Sequence, residues 1–453
     1  MNNNSSPIII YTADWVLPIS FAPIECGAVA TTGAEIMVVG TQNEIFGKFP
    51  AATIKDFGEA AILPGFVNAH AHLELTAMRG FLDSVEHDFS AWLLKLSAAR
   101  DRQMTLEDLE NSALCGAIEA ARAGVTTIGD IGKHAFAATK ALTKTGLRGI
   151  SYQENSFAAD ARLAAEKFAE LRDNVLLNRE LAGKRVTIGI TPHAPYTVSR
   201  KLFELLTDFA FAENLPVTIH AAESQAEEEL MRFGTGSIAQ VLKNLGLKWN
   251  APQCSTVKYL EQIGVLKAKP LLAHCVNVDA QDLDIIAATG TKIAHCPVSN
   301  AKFAHGIAPF AQMLEKQIAV GLGSDSVASN NSCDILAEAR LADLLQRTRG
   351  AFVSAERVLF AATLGGATAL GLENETGSLD AGKQADLCVV SLAALAQQPI
   401  YDVNAALVFA SSARDVVATI VAGQTIYENE TVKTVDETAA LARLKETARK
   451  ITR

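Results

Sequence analysis

Pro64-Gly65-Phe66-Val67-Asn68-Ala69-His70-Ala71-His72 is the stretch on which the fold turns. An apolar run, Ala60 to Leu63, leads into Pro-Gly and then into two histidines two residues apart. On a β-strand that spacing puts both imidazoles on one face. Two neutral ring nitrogens held side by side can grip one divalent metal ion. A lone His-x-His also arises by chance, so its weight depends on whether the rest of the chain supplies further ligands in matching places.

Working outward, the chain alternates. Asp88 or Ser90 opens an apolar helix through Trp92-Leu93-Leu94, and Thr105 with Asp108 forms a capping box for a helix that stops at Gly124. Strand 125–130, helix 135–145, strand 148–154, helix 159–181, strand 186–191, helix 200–213 and strand 216–220 follow. The pattern resumes with strand 270–275, a helix from Asp279 to Gly290, strand 291–296, helix 307–316, strand 318–324, and helices near 334–347 and 354–363. Strands alternating with helices mean a parallel sheet. The strand starts at 60, 125, 148, 186, 216, 270, 291 and 318 number eight, which closes a barrel. Both chain ends read as β: Ile8-Ile9-Ile10-Tyr11 and Glu35–Val39 in front, Leu387–Val390 and Val416–Val421 behind. Since termini often lie together, the expected fold is α/β. A (β/α)8 TIM-type barrel spans 59–375, and residues 1–58 and 376–453 build a small β-sandwich domain with a final helix at 434–450.

With 453 residues, 49% of them hydrophobic, the chain can bury a large core. A net charge of −10 argues against nucleic acid or an anionic membrane as partner, but not against a small-molecule substrate. The start, Met1-Asn2-Asn3-Asn4-Ser5-Ser6, has no secretory character, and no apolar run reaches membrane length. Seven scattered cysteines without a Cys-x-x-Cys read as reduced thiols, so a cytoplasmic location is expected. A homo-oligomer is compatible with the sequence and not specified by it.

Barrel enzymes carry their chemistry at the C-terminal ends of the strands. Here strand one ends at His70 and His72, and strand four runs into Thr191-Pro192-His193. Strand five ends at His220 with Glu223 after it, strand six at His274, strand seven at His295 and strand eight at Asp325. So many ligand-type side chains converging on one mouth point to a metal site.

The chain resembles the amidohydrolase superfamily, in its mononuclear deaminase and chlorohydrolase branch. The resemblance rests on Pro-Gly-Phe-Val-Asn-Ala-His-Ala-His, His220-Ala-Ala-Glu223, His274-Cys, His295-Cys-Pro-Val-Ser-Asn300 and Gly323-Ser-Asp325, and spans nearly the whole length. It implies that His70, His72, His220 and Asp325 hold the metal, leaving a coordination position for water. Two-metal members need a lysine at the end of strand four, where this chain has Thr191-Pro192-His193, so one divalent ion is expected, zinc first and iron second. Such an ion brings the pKa of a bound water toward neutrality. The resemblance makes Glu223 the proton carrier, with His274 and Asp325 orienting or deprotonating the water. Glu227, Glu228 and Glu229 read as the solvated face of a helix. His193 is expected to touch substrate, His295 is left out of the ligand set, and His87, His134 and His305 default to the surface.

The implied reaction is hydrolytic deamination of an amino-substituted purine nucleoside-like compound, with release of ammonia. In the S-adenosylhomocysteine and 5′-methylthioadenosine deaminases a glutamate shortly after the first helix grips the ribose. The matching stretch, Trp92 to Asp101, has none. Asn68-Ala-His-Ala-His-Leu-Glu-Leu and Trp249-Asn-Ala-Pro-Gln-Cys-Ser-Thr-Val-Lys-Tyr259-Leu resemble the aminodeoxyfutalosine group instead, which ranks 6-amino-6-deoxyfutalosine first, then S-adenosylhomocysteine, 5′-methylthioadenosine and adenosine. Trp92, Arg79, Arg148 and Glu154 join His193 as candidate substrate contacts, the alternative for the charged ones being ordinary salt bridges. Two other enzyme readings, a triazine or other heteroaromatic amino- or chlorohydrolase and a guanine or pterin deaminase, use the same ligands. A non-catalytic relative would have lost some.

Overall fold

The computed structural model describes residues 7–155 and 157–452. Eight parallel strands form its centre. We label them β1 (Phe66–Ala71), β2 (Val125–Gly132), β3 (Arg148–Glu154), β4 (Val186–Thr191), β5 (Thr218–Ala221), β6 (Leu271–His274), β7 (Lys292–His295) and β8 (Val320–Leu322). They pair in two runs, β1-β2-β3-β4 and β5-β6-β7-β8. Single bridges join the runs at both seams, Ile190 to Val217 and Ala71 to Asp325, so the ring closes as a TIM-type barrel. At the second seam Asp325 N–H donates to the His70 carbonyl at 2.9 Å, and Asn68 Nδ2 donates to Ser324 Oγ at 2.7 Å. The first and last strands are thereby locked together where their ligand-type side chains emerge. A Cβ on Gly323 would lie 2.8 Å from the His70 Cβ, so only glycine lets β8 pass this close.

The apolar run before the histidines is not part of the barrel, contrary to the expected strand start at 60. Ala60–Pro64 pairs antiparallel with Leu387–Ser391 and parallel with the end of Ile8–Val16. Gly65 is the joint between the two strands, and a Cβ there would lie 2.0 Å from the Thr126 side chain. Two apolar strands separated by one residue read as one in sequence, because only their pairing partners distinguish them.

The remaining strands of both chain ends complete one nine-stranded sheet. Tyr11 and Val29 from the front share a buried cluster with Ile62, Leu387 and Ile420. The opposite face, through Ile10, Ala28 and Ala30, packs under Ile45 of the helix Gln42–Lys48. That helix starts at a Thr41–Glu44 capping box. The final helix, Glu437–Ile451, docks on Leu106–Arg122: Thr447 Oγ1 and Lys450 Nζ each donate to Asp108 Oδ1 at 2.8 Å.

Helices fall close to their expected places. One starts late, at Ala164, because Asp160 caps a short turn first. Between β5 and β6 lie three helices the sequence pattern did not delimit, Gln225–Phe233, Gly236–Asn244 and Thr256–Gln262. None of the cysteines is disulfide-bonded. No helix among the described residues is long and apolar enough to cross a membrane.

Arg148 does not reach the barrel mouth, which corrects its assignment as a substrate contact. It is the first residue of β3, at the N-terminal end, and its buried guanidinium binds Asp386 Oδ2 at 2.8 Å and Glu375 Oε2 at 2.7 Å. Its charge is neutralised by the segment entering the terminal sheet.

Candidate active site

At the C-terminal end of the barrel, β1 delivers His70 and His72, β5 delivers His220, and the turn after β8 delivers Asp325. Ligand atoms of His70, His72 and His220 all lie within 4.8 Å of one another, and so do those of His70, His274 and Asp325. Asp325 Oδ1 stands 3.4 Å from His70 Nε2 and 3.5 Å from His72 Nε2. Both ring nitrogens of His70 are buried and have no hydrogen-bond partner among the described residues. Orphaned buried nitrogens are costly unless something binds them, and a divalent ion fits this donor set.

The electrostatics agree with ligation. Burial pushes His70 down, takes His72 to about 3 with help from His70, and holds His220 well below the ordinary imidazole value. All three are neutral, the form that binds metal. Burial alone would raise Asp325, but contact with His70 and the nearby His274 outweigh it and hold the carboxyl well below its usual range. Asp325 is steadied by the hydroxyls of Ser299 at 2.6 Å and Ser329 at 2.9 Å. His220 Nδ1 is 3.2 Å from the His193 carbonyl, which directs its other nitrogen to the cluster.

Glu223 sits just past β5 with its carboxylate buried. His274 Nε2 is 3.8 Å and His305 Nε2 3.5 Å from its Oε1. Burial would raise the Glu223 pKa, yet these two imidazoles overcome it and keep the group below its ordinary value. For His274 burial works downward, and Glu223, Asp325 and the Asn300 side chain, 2.9 Å from Nδ1, raise it overall. Four non-glycine residues around this rim, Ala222, His274, Cys275 and Asp325, have left-handed φ values between +47° and +73°. Such strain persists only where the surroundings impose it, and it clusters at working sites.

The cluster opens into a cavity of about 420 Å³, lined by His72, His193, His220, Glu223, His274 and Asp325 at its floor. Glu154, Asn155 and Asp101 line its side, and Trp92 and Phe303 pack edge to face in its wall, 5.0 Å between centroids. Farther out the lining turns apolar, with Phe157, Ile238, Leu242 and Leu245.

A family model for the amidohydrolase family matches residues 61–426. A 5-methylthioadenosine/S-adenosylhomocysteine deaminase of Moorella thermoacetica is 32% identical over 425 residues, covering 93% of this chain and 94% of that protein. Among solved structures, an adenosine deaminase from Xanthomonas campestris with bound zinc superposes with a TM-score of 0.82 at 25% identity, covering 98% of each chain. The aminofutalosine deaminase of Helicobacter pylori, in complex with methylthio-coformycin, gives a TM-score of 0.75 at 20% identity, over 92% of this chain and 99% of that one, and shares the fold. The chain belongs to the amidohydrolase family. It is a hydrolase acting on carbon–nitrogen bonds.

In this amidohydrolase three assignments made from sequence need correction besides Arg148. Arg79 lies outside the cavity: its guanidinium pairs with Glu119 and donates to the Asn331 carbonyl at 2.6 Å. His305 is not a surface residue. Its ring is buried between Phe89 and Phe303 and faces Glu223. Glu227 is not on a solvated helix face either, being 1% exposed. Its Oε1 accepts from Ala222 N–H at 2.9 Å and Thr256 Oγ1 at 2.7 Å, and its Oε2 from Glu223 N–H at 2.9 Å. Glu228 and Glu229 do lie farther out, Glu228 pairing with Arg232. His134 is half-buried with its N–H on Glu74, and His87 is exposed. His295 is buried against Phe310, held to about 3 by burial, and outside the ligand groups. The Ser-x-x-Glu pattern at Ser224–Glu227 was the one available signal for Glu227. Nothing local marks His305.

Proposed function

We propose that this amidohydrolase is a metal-dependent deaminase of 6-aminopurine nucleosides with an uncharged 5′ substituent, 5′-methylthioadenosine foremost, releasing ammonia. The observation that carries the reading is the Glu223 carboxylate. It is buried between two imidazoles beside the His70, His72, His220 and Asp325 cluster, at the floor of a nucleoside-sized cavity.

His70, His72, His220 and Asp325 would hold a single ion, zinc by analogy with the Xanthomonas enzyme. Bound there, zinc acidifies water. Glu223, ionised, takes a proton from water and returns it to the purine ring nitrogen, then serves the departing amino group the same way. His274, oriented by Asn300, faces the attacking oxygen and keeps Glu223 ionised until substrate arrives. His193, steadied by Thr197 2.8 Å from Nδ1, and Glu154 face the cavity, where they would contact the sugar. Trp92 walls the base.

The outer wall supports one order of substrates. Both long cations lining the cavity are already paired: Lys133 with Asp101 at 2.8 Å, and Arg100 with Asp101 at 3.0 Å and Glu74 at 3.4 Å. Neither is free for an anionic tail, and the apolar lining suits a methylthio group. On this ground we rank 5′-methylthioadenosine ahead of S-adenosylhomocysteine and of 6-amino-6-deoxyfutalosine; the Helicobacter pylori aminofutalosine deaminase, at 20% identity, supports the fold alone.

The test is a screen for ammonia release. 5′-Methylthioadenosine, S-adenosylhomocysteine, adenosine, 6-amino-6-deoxyfutalosine, guanine, a pterin and an aminotriazine would be offered to zinc-loaded enzyme, with chloride release from a chlorotriazine measured beside them. The highest kcat/KM is expected for 5′-methylthioadenosine. Chloride release without deamination of any aminopurine nucleoside would overturn the proposal.

A further inference from the structure

We infer that Glu227 is a positioning residue: its buried carboxylate clamps the strained turn that aims Glu223. The inference rests on the reading of Glu223 as the proton carrier.

The turn is unusual in two respects. Ala222 carries φ +51°, a left-handed conformation that a non-glycine residue keeps only where its surroundings impose it. Glu227 is the third residue of the helix Gln225–Phe233, whose cap is Ser224. In a capping box that glutamate reaches back to the cap's own N–H. Here it reaches past the cap and takes the N–H groups of Glu223 and Ala222, one on each oxygen, with Thr256 Oγ1 as a third donor. From the other side Val276 and Asn277 N–H groups hold the Ala222 carbonyl at 2.9 and 2.8 Å, and Asn277 Nδ2 reaches the Glu223 carbonyl at 3.3 Å. Both peptides flanking Cα of Glu223 are therefore fixed, which sets the direction of its Cα–Cβ bond and so the point from which its carboxylate reaches His274 and His305.

The chemistry of the clamp is specific to a carboxylate. Two backbone N–H groups and a hydroxyl converge on it, and each oxygen must accept. A carboxamide of the same shape has one oxygen and one NH₂. Whichever way it turns, one of the two N–H groups would face another donor. That orphaned group would drive Ala222 back toward a relaxed φ and swing the Glu223 carboxylate. A site must be held within about 0.5 Å to keep its rate, and a displacement near 1 Å costs about 10²-fold.

The experiment compares Glu227→Gln, Glu227→Asp, Thr256→Val and Glu223→Gln with the parent by crystal structure, zinc content, melting temperature and kinetics on 5′-methylthioadenosine. Clamping predicts that Glu227→Gln keeps its zinc and its KM, loses about 10- to 100-fold in kcat, and shows the Glu223 carboxylate displaced by more than about 0.5 Å. Thr256→Val, which leaves both N–H bonds intact, should lower the melting temperature with little change in kcat. A Glu227→Gln enzyme with kcat within twofold of the parent, or with Glu223 superposing on its parental position, overturns the inference and leaves Glu227 a structural group. Should Glu227→Gln fail to fold, Glu227→Asp decides: it keeps the charge but is one methylene too short to hold both N–H groups, and a parental kcat with an unmoved Glu223 carboxylate would overturn the clamp. The outcomes separate from the function itself. If Glu223→Gln retains turnover, the proton-carrier reading falls and this inference with it. If Glu223→Gln is inactive while Glu227→Gln is not, only the clamp falls.

Discussion

Arg148→Met tests whether this buried arginine belongs to the scaffold or to the substrate site. Methionine keeps most of the aliphatic stem and removes the guanidinium. The loss is dominated by Asp386, which is fully buried and keeps only the Ala422 N–H at 2.7 Å once Arg148 Nε is gone. Breaking a buried pair by removing one partner costs about 3–5 kcal/mol, because the other charge stays buried. Glu375 is more than half exposed, so its share is at most about 1 kcal/mol. The expected destabilisation is therefore about 3–5 kcal/mol, read as a lower urea midpoint at unchanged slope. Asp386→Asn introduced into Arg148→Met removes the stranded charge and should recover part of the loss, a double-mutant cycle on one contact. Arg148 starts its strand, at the end away from the metal cluster, so folded Arg148→Met should bind zinc and turn over 5′-methylthioadenosine with parental KM. A raised KM with an unchanged urea midpoint would refute the scaffold argument and return Arg148 to the substrate.

Glu223→Gln should retain zinc and lose about 10²–10⁴ in kcat, the usual worth of general acid–base catalysis; near-parental turnover on 5′-methylthioadenosine would remove Glu223 from the mechanism. Elemental analysis should find one ion per chain, and His220→Ala should lose the ion and the activity together, as should chelation of the parent; two tightly held ions would contradict the single-ion site. Asp108 gives a pH test: burial opposes its ionisation, but hydrogen bonds from Lys450, Thr105 and Thr447 hold its pKa below the ordinary 3.8. A depressed folded pKa contributes stability above 3.8 that is lost as pH falls through and below that value. Asp108→Asn should accordingly be less stable than the parent at neutral pH, with a shallower decline on acidification; parallel curves would contradict it.

How much was legible depended on the distance between a residue and what gives it meaning. The barrel was readable because its period is local: capping residues such as Thr105 and Asp279, and stops such as Gly146 and Gly290, act within one turn of their own helix. The histidines and the aspartate that gather at the mouth were readable for the same reason, since each follows or closes an apolar strand whose C-terminal end must face that mouth. What the sequence by itself determined is thus the barrel and the side chains at its rim. Only the tertiary structure decided which charges lie inside. Arg148 meets Asp386 across 238 positions, and a cation looks the same in sequence whether water or a carboxylate surrounds it. His305 faces Glu223 because the loop carrying Phe303 folds under Phe89. Glu227 is sealed by Thr256 from a helix 29 residues away. The Ala60–Pro64 run joined the terminal sheet because its edges found Ile8–Val16 and Leu387–Ser391. Burial, ionisation and strand pairing are properties of neighbours brought together by packing, and a sequence records those neighbours only when they are close along the chain.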